Sequence, residues 1–127
     1  MGSYLSCIIT HGSLACSLKE VSENLGVPSK ELMCFSNQET DLESIEASIQ
    51  KLITQNKPQN IILFVDLMGG SCWVSANRIK HNQANVTIIS GVNVPMLVSF
   101  FVNVKRLPWS ELMEKIELDA KRGVVVK

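Results

Sequence analysis

The 127-residue sequence lacks an excess of charge of either sign, since 12 Lys and Arg residues balance 12 Asp and Glu residues. Proteins that bind nucleic acid or anionic membranes by charge attraction carry a basic patch or a net positive charge. The composition therefore argues against binding of a polyanion. By its length the chain is predicted to form one domain over residues 1–127, with a single well-buried core.

The four cysteines lack both C-x-x-C spacing and the clustering of a zinc site. No apolar segment behind a basic start indicates a secretory signal. We therefore expect a reduced, cytoplasmic protein, in which Cys7, Cys16 and Cys34 are small buried hydrophobic residues.

Long hydrophobic runs are also missing. The most apolar late stretch, residues 94–104, has about half of the roughly 20 residues that a membrane-spanning helix needs, so it is predicted to be a buried helix. Residues 1–6 fit the loose M-G-x-x-x-[ST] pattern of N-myristoylation, which many chains match by chance.

What is present is an alternation of strand and helix patterns. Apolar runs predict four strands at residues 4–10, 31–35, 61–65 and 86–90. Helical spacing of Leu14, Leu18, Val21 and Leu25 predicts a first helix, which ends at Gly26-Val27-Pro28. Further helices are predicted over residues 40–56, capped by Thr40 or Asp41, over 73–80, from Pro95 onward, and from Pro108 or Ser110 to Lys121 or Arg122.

Strands that alternate with helices indicate an α/β fold with parallel pairing and helices on both faces. We predict a small doubly wound sheet with the flavodoxin-like strand order 2-1-3-4, in preference to a Rossmann half. Residues 124–126 could add a short edge strand.

This strand order predicts where a site lies. Strands 1 and 3 are neighbours whose chains leave toward opposite faces, so a crevice opens at their carboxyl ends. His11 follows strand 1 and Asp66 ends strand 3, which places two residues 55 apart in sequence across one crevice. The segments Gly69-Gly70-Ser71 and Gly91-Val92-Asn93 would rim the same opening.

The residue types in this crevice suit nucleophilic chemistry. A neutral imidazole attacks through one ring nitrogen while the N–H of the other donates a hydrogen bond to a carboxylate. Asp66 is placed to be that carboxylate. Glycines allow close backbone approach, and Ser71 at a helix start offers a hydroxyl beside free amides, which suits phosphate. Each residue also has a plainer interpretation: His11 as a loop residue, Asp66 as part of a turn, Ser71 as a helix cap.

Three segments, "THGSLACSL", "FVDLMGGSCWVSANRI" and "IISGVNVPML", resemble the IIA component of the mannose (mannose-fructose-sorbose) family of the phosphoenolpyruvate-dependent sugar phosphotransferase system (PTS). The resemblance implies that His11 accepts a phosphoryl group from the phosphocarrier protein HPr and passes it to a IIB domain. It implies that Asp66 partners His11 and that Ser71 lies at the phosphoryl site. With these, Gly12, Gly69 and Gly70 are the expected phosphate-binding residues.

The same resemblance implies a doubly wound fold that dimerises, with a carboxyl-terminal strand in the shared sheet, for which residues 124–126 are the candidate. Membrane contact would be indirect, through a IIC/IID complex. No metal or cofactor is expected, because amides and Ser71 can stabilise the transferring phosphoryl group. Met68, Trp73 and Met96 are candidates for a docking rim, with core packing as the alternative.

The chain departs from the family pattern at Cys72, which stands where proline commonly follows the G-G-S serine. Cys72 near a helix start could instead be a low-pKa nucleophile or redox thiol, although we expect Cys72→Ser to leave phosphorylation of His11 largely unchanged. The second histidine, His81, is predicted to be exposed at a helix end. A metal site joining it to His11, Asp66 and Cys72 would require it to cross from the far end of that helix.

Two other functions compete with sugar transport. The protein could be a phosphorylation-dependent regulator of an incomplete PTS, because phosphate adds about two negative charges beside a docking surface. It could also be the phosphotransfer subunit of a dihydroxyacetone kinase, although "DLMGGS" is more similar to the transport family. The sequence does not indicate which sugar is transported.

Overall fold

A computed structural model describes residues 3–38 and 40–127. Residues 1–2, where the myristoylation pattern begins, lie outside this range. The strands are β1 (Tyr4–Thr10), β2 (Met33–Ser36), β3 (Asn60–Val65) and β4 (Val86–Ile89). The helices are α1 (Leu14–Asn24), α2 (Leu42–Asn56), α3 (Ser71–His81), α4 (Val94–Asn103) and α5 (Trp109–Arg122).

The four strands form one parallel sheet in the order β2-β1-β3-β4, which confirms the predicted α/β class and strand order. The register places Ile9 opposite Val65 on the neighbouring strand, so β1 and β3 end side by side. The loops that follow these two strands, which carry His11 and Asp66, therefore start from adjacent points at one edge of the sheet.

Side chains alternate between the two faces of the sheet, and both faces are buried. One core contains Ile8 and Phe64 with α1, α4 and α5, and the other contains Cys7 and Leu63 with α2 and α3. This double burial explains why β1 and β3 are nearly continuous apolar runs in the sequence. No helix among the described residues is long and apolar enough to cross a membrane.

The bounds predicted for the second strand are wrong. The second strand is residues 33–36, because its pairing with β1 continues to Thr10 opposite Ser36. On α1, the buried positions are Ala15 and Ser22, whereas Leu14, Val21 and Leu25 are exposed. Small side chains let α1 approach the sheet closely, and the Ser22 hydroxyl is satisfied by donating to the Leu18 carbonyl at 2.9 Å.

The cysteine prediction is also wrong for two residues. Cys16 on α1 and Cys34 on β2 form a disulfide, with Cα atoms 5.2 Å apart. Cys16 is exposed and Cys34 is half-buried, so only Cys7 of the three is a buried hydrophobic residue. The 18-residue spacing carried no signal, because the packing of α1 against β2 decides the contact.

Residues 124–126 belong to no strand in the single chain. The backbone N–H of Val124 still donates to the Lys121 carbonyl at 3.3 Å, so the end of α5 holds the start of this segment. The valine side chains at 124, 125 and 126 are 68–93% exposed.

Candidate active site

His11 is the first residue after β1, on a short loop before α1. Gly12 adopts a positive φ of +57°, a conformation that glycine reaches without steric cost and that turns the chain into the helix. Thr10 holds the start of α1, because its Oγ1 accepts a hydrogen bond from the Ala15 N–H at 2.7 Å. The His11 side chain remains 45% exposed, which leaves its ring accessible to a docking protein.

Asp66 binds His11 at two points. Its Oδ2 lies 2.8 Å from the ring Nδ1 and accepts the His11 backbone N–H at 3.0 Å. The carboxylate can accept but not donate, so the ring proton belongs on Nδ1 and the lone pair on Nε2. The predicted juxtaposition of these two residues is present in the structure.

The Asp66 carboxyl is ionised at neutral pH. Burial raises its pKa, but the backbone and ring hydrogen bonds from His11 and the charge of a protonated ring outweigh this effect, so the net pKa is lowered from 3.8. A fixed negative charge beside Nδ1 favours positive charge on the ring, which is the charge that nucleophilic attack through Nε2 would produce.

Ser71 lies on the opposite side of the ring from Asp66. Its Oγ is 3.0 Å from Nε2 of His11, the nitrogen that keeps a lone pair. Ser71 is also the first residue of α3, whose N-cap is Gly70 and whose start has no side-chain cap. The first backbone N–H groups of α3 therefore face the site with the positive end of the helix dipole.

The two glycines before Ser71 do different things. Gly69 has a positive φ of +85°, which the turn requires. Gly70 has an ordinary φ, but a Cβ there would lie 3.2 Å from Cε1 of His11 and 3.3 Å from the Leu67 carbonyl oxygen. Gly70 thus leaves the space that the imidazole fills.

Two further residues hold the His11 loop, and the sequence analysis did not identify them. Asn37 accepts the Gly12 N–H at 3.1 Å through Oδ1, and the Ser36 hydroxyl donates to the Gly12 carbonyl. Both follow from the pairing of β2 with β1, which brings the end of β2 beside the loop. A polar Ser-Asn pair at the end of the second predicted strand was the available signal.

The Gly91-Val92-Asn93 segment is held at the end of β3 and also has a structural role. Its Val92 N–H donates to the Val65 carbonyl at 3.1 Å, which ties the segment to the end of β3. The Asn93 side chain accepts the Met96 N–H at 2.9 Å and donates to the Ala120 carbonyl, so it caps α4 and anchors α5.

Cys72 is buried on the Nδ1 side of the ring, with its sulfur 3.9 Å from that nitrogen. Burial and, to a lesser extent, the charge of Asp66 raise the pKa of the Cys72 thiol to about 11, against a smaller lowering by Ser71. The thiol is therefore protonated at neutral pH, which contradicts the alternative of a low-pKa nucleophile. His81 is exposed at the end of α3, as predicted, and is not among the His, Cys and carboxylate groups that cluster here.

The sequence and the fold are similar to those of known proteins. A family model described as "PTS system fructose IIA component" matches residues 6–117. The chain belongs to the mannose family of PTS IIA components. It is 34% identical over 94 residues to a PTS mannose-specific EIIAB component of Escherichia coli K12, covering 70% of this chain and 28% of that protein.

Other members of the PTS are similar as well. The sorbose-specific EIIA component of Klebsiella pneumoniae is 24% identical over 82 residues, covering 65% of this chain and 61% of that protein. The chain thus spans less than two thirds of both curated relatives. The crystal structure of a PTS EIIA component from Streptococcus agalactiae superposes with a TM-score of 0.86 at 15% identity, over 97% of this chain and 96% of that one.

The surface beside the IIA site is apolar. Leu67 and Met68, in the loop after β3, are 62% and 69% exposed, and Leu14 at the start of α1 is 42% exposed. We call these three residues the apolar rim. Of the predicted rim residues, Met68 is therefore exposed, whereas Trp73 is half-buried and Met96 lies in the core at 2% exposure.

Proposed function

We propose that residues 1–127 form a IIA phosphocarrier domain that accepts a phosphoryl group from HPr on Nε2 of His11 and passes it to a IIB domain for sugar uptake. One observation carries this proposal: the His11 ring is held between Asp66 at Nδ1 and Ser71 at Nε2. This arrangement selects one tautomer and one attacking nitrogen.

The transfer step is a displacement at phosphorus. The P–N bond in the phosphohistidine of HPr breaks as a P–N bond to Nε2 of His11 forms. The His11 ring keeps its proton on Nδ1, hydrogen-bonded to Asp66. Because the transferring group is largely metaphosphate-like, the protein contributes alignment and stabilisation of the oxygens. The Ser71 hydroxyl turns from Nε2 to a phosphoryl oxygen, and the first N–H groups of α3 donate to the others.

The apolar rim supports docking of two partners in turn. Leu14 is close in sequence to His11, and Leu67 and Met68 directly follow Asp66, so exposed apolar side chains flank the nucleophile. HPr and the IIB domain would both cover this surface, and its position excludes water from the transferring group. Both partners would be met in the cytoplasm, with membrane contact only through a IIC/IID complex.

Dimerisation is proposed from the free edge of the sheet. Among the residues that the structure describes, strand β4 has a neighbour on one side only, and beside it lies a cleft of about 540 Å³ lined in part by Ile88, Met113 and Val124. The exposed valines at 124–126 of a second copy would pair with this edge and satisfy its backbone groups. Removal of residues 124–127 should convert a dimer into a monomer in light scattering, and a dimer that persists would contradict this assignment.

The test of phosphotransfer is mass spectrometry after incubation with phosphoenolpyruvate, enzyme I and cognate HPr. We expect one acid-labile phosphoryl group on the wild type and on His81→Ala, the matched control, and none on His11→Ala. Absence of transfer to the wild type would contradict the proposal. Transfer to His11 that no IIB partner can then discharge would favour the regulatory function over transport.

A further inference from the structure

His11, Asp66 and Cys72 form a mixed cluster of nitrogen, oxygen and sulfur groups. One ligand atom from each lies within 4.8 Å of the other two. The ring Nδ1 is 2.8 Å from Asp66 Oδ2 and 3.9 Å from Cys72 Sγ. A tetrahedral zinc ion separates such ligand pairs by about 3.3–3.6 Å, so shifts of about 1 Å would bring all three into its first coordination sphere.

The three groups have coordination capacity that the fold does not use. Asp66 Oδ1 is buried and, among the described residues, receives no hydrogen bond, although buried carboxylate oxygens are normally paired. Cys72 is a free thiol, and its contact with Nδ1 of His11 is long, at 3.9 Å. The imidazole is the most exposed of the three side chains, at 45%, so a rotation of the ring would open the cluster to an ion from solvent.

We propose that Nδ1 of His11, the Asp66 carboxylate and the Cys72 thiolate bind a thiophilic divalent cation such as Zn²⁺, and that this ion blocks phosphorylation of His11. The blocking role rests on the proposed function, whereas the binding site does not. Imidazole and thiolate together select zinc-like ions over Mg²⁺ or Ca²⁺, and a water would complete a tetrahedral set.

The block follows from proton balance on the ring. The ion takes the Nδ1 lone pair, so the ring proton moves from Nδ1 to Nε2, and the Cys72 S–H proton is released to solvent as the thiolate binds. Nε2–H can then donate a hydrogen bond to Ser71 Oγ. Nε2 has no lone pair left with which to attack phosphorus. Phosphorylation in turn leaves the proton on Nδ1, so the phosphorylated ring does not bind the ion, and the two events oppose each other.

The binding test uses Co²⁺ as a spectroscopic probe of the full chain, without reductant so that Cys16 and Cys34 stay paired. We expect one ion per chain, a thiolate-to-cobalt absorption band in the near ultraviolet, and displacement by Zn²⁺. Cys72→Ser should abolish the band and weaken zinc binding by at least the roughly tenfold to hundredfold that outer-shell changes cause. Cys16→Ser/Cys34→Ser, the matched control, should keep the band.

The activity test uses purified phospho-HPr, so that zinc cannot act through enzyme I. Zn²⁺ should slow phosphorylation of the wild type, a chelator should restore it, and Cys72→Ser should be phosphorylated normally with or without zinc. A wild type without the band, or a band that survives in Cys72→Ser, overturns the site. Zinc inhibition that is equal in both proteins overturns its role. If the wild type shows the cobalt band but phospho-HPr does not phosphorylate it, the metal site is supported and the proposed function is rejected.

Discussion

Nδ1 of His11 lies 2.8 Å from Oδ2 of Asp66, and the same oxygen accepts the His11 backbone N–H at 3.0 Å. One carboxylate oxygen therefore sets both the position of the loop and the orientation of the ring. Because Asp66 holds Nδ1, the other ring nitrogen, Nε2, is the one left for the proposed attack on phosphorus.

Asp66→Asn should slow phosphorylation of His11 by about 10²–10⁴-fold, the range over which positioned proton acceptors act in catalysis. The amide has the shape of the carboxylate but not its charge, so the cationic ring loses its stabilisation. Rapid-quench transfer from phospho-HPr measures the effect. Glu117→Gln, at an exposed pair with Lys121, is the matched control and should react at the wild-type rate; an equal rate for Asp66→Asn would reject the role of Asp66.

Acid should weaken the contribution of Asp66 to stability. The pKa of Asp66 is lowered from 3.8 in the folded protein, so its contribution is present above pH 3.8 and is lost as the pH falls through the folded value. The difference in unfolding free energy between the wild type and Asp66→Asn should therefore narrow below about pH 4. Denaturant titrations at neutral and acid pH test this, and a difference that is independent of pH would contradict the assignment.

Ser71→Ala should reduce the phosphorylation rate by about 10²–10³-fold, the loss seen when one donor to a developing oxyanion is removed. The reason is the position of Ser71 Oγ, 3.0 Å from Nε2, where the phosphoryl group must arrive. Ser71→Thr keeps a hydroxyl and should retain more activity than Ser71→Ala. Equal rates for Ser71→Ala and the wild type would show that Ser71 begins α3 but has no role in phosphorylation.

Gly70→Ala and Gly69→Ala should separate site geometry from backbone strain. At Gly70 the new Cβ would press on His11 Cε1 at 3.2 Å, so phosphorylation should fall while stability changes little. At Gly69 nothing lies within 4 Å, but φ is +85°, so Ala should cost about 1–2 kcal/mol of stability. Urea unfolding and transfer rates measured on both variants test the distinction, and the reverse pattern would refute it.

Breaking the Cys16–Cys34 bond should lower the free energy of unfolding by about 3 kcal/mol, because the closed loop of 18 residues restricts the unfolded chain. Urea titrations with and without reductant measure this loss. Cys16→Ser/Cys34→Ser should show the lower stability and no response to reductant. If reductant leaves the free energy of unfolding of the wild type unchanged, Cys16 and Cys34 are not bonded to each other in solution.

Much of the fold followed from local patterns. The apolar runs of β1 and β3 and the start signals at Asp41, Pro95 and Pro108 depend on neighbouring residues in the chain, and the observed bounds agree closely. The exposed face of α1 did not follow, because Leu14, Val21 and Leu25 have helical spacing whichever way the helix is turned. Only contact with the sheet decided that Ala15 and Ser22 face inward.

The sequence alone determined the crevice residues, since the strand order 2-1-3-4 places the ends of β1 and β3 side by side and so joins His11 to Asp66. The tertiary structure decided the rest. Packing between segments distant in the chain decided four features. They are the ring nitrogen that contacts Asp66, the hydrogen bonds of Asn37 and Ser36 to Gly12, the Cys16–Cys34 bond and the position of Cys72 near Nδ1. Such contacts are set by distances of a few ångströms in three dimensions, which spacing along a chain does not encode.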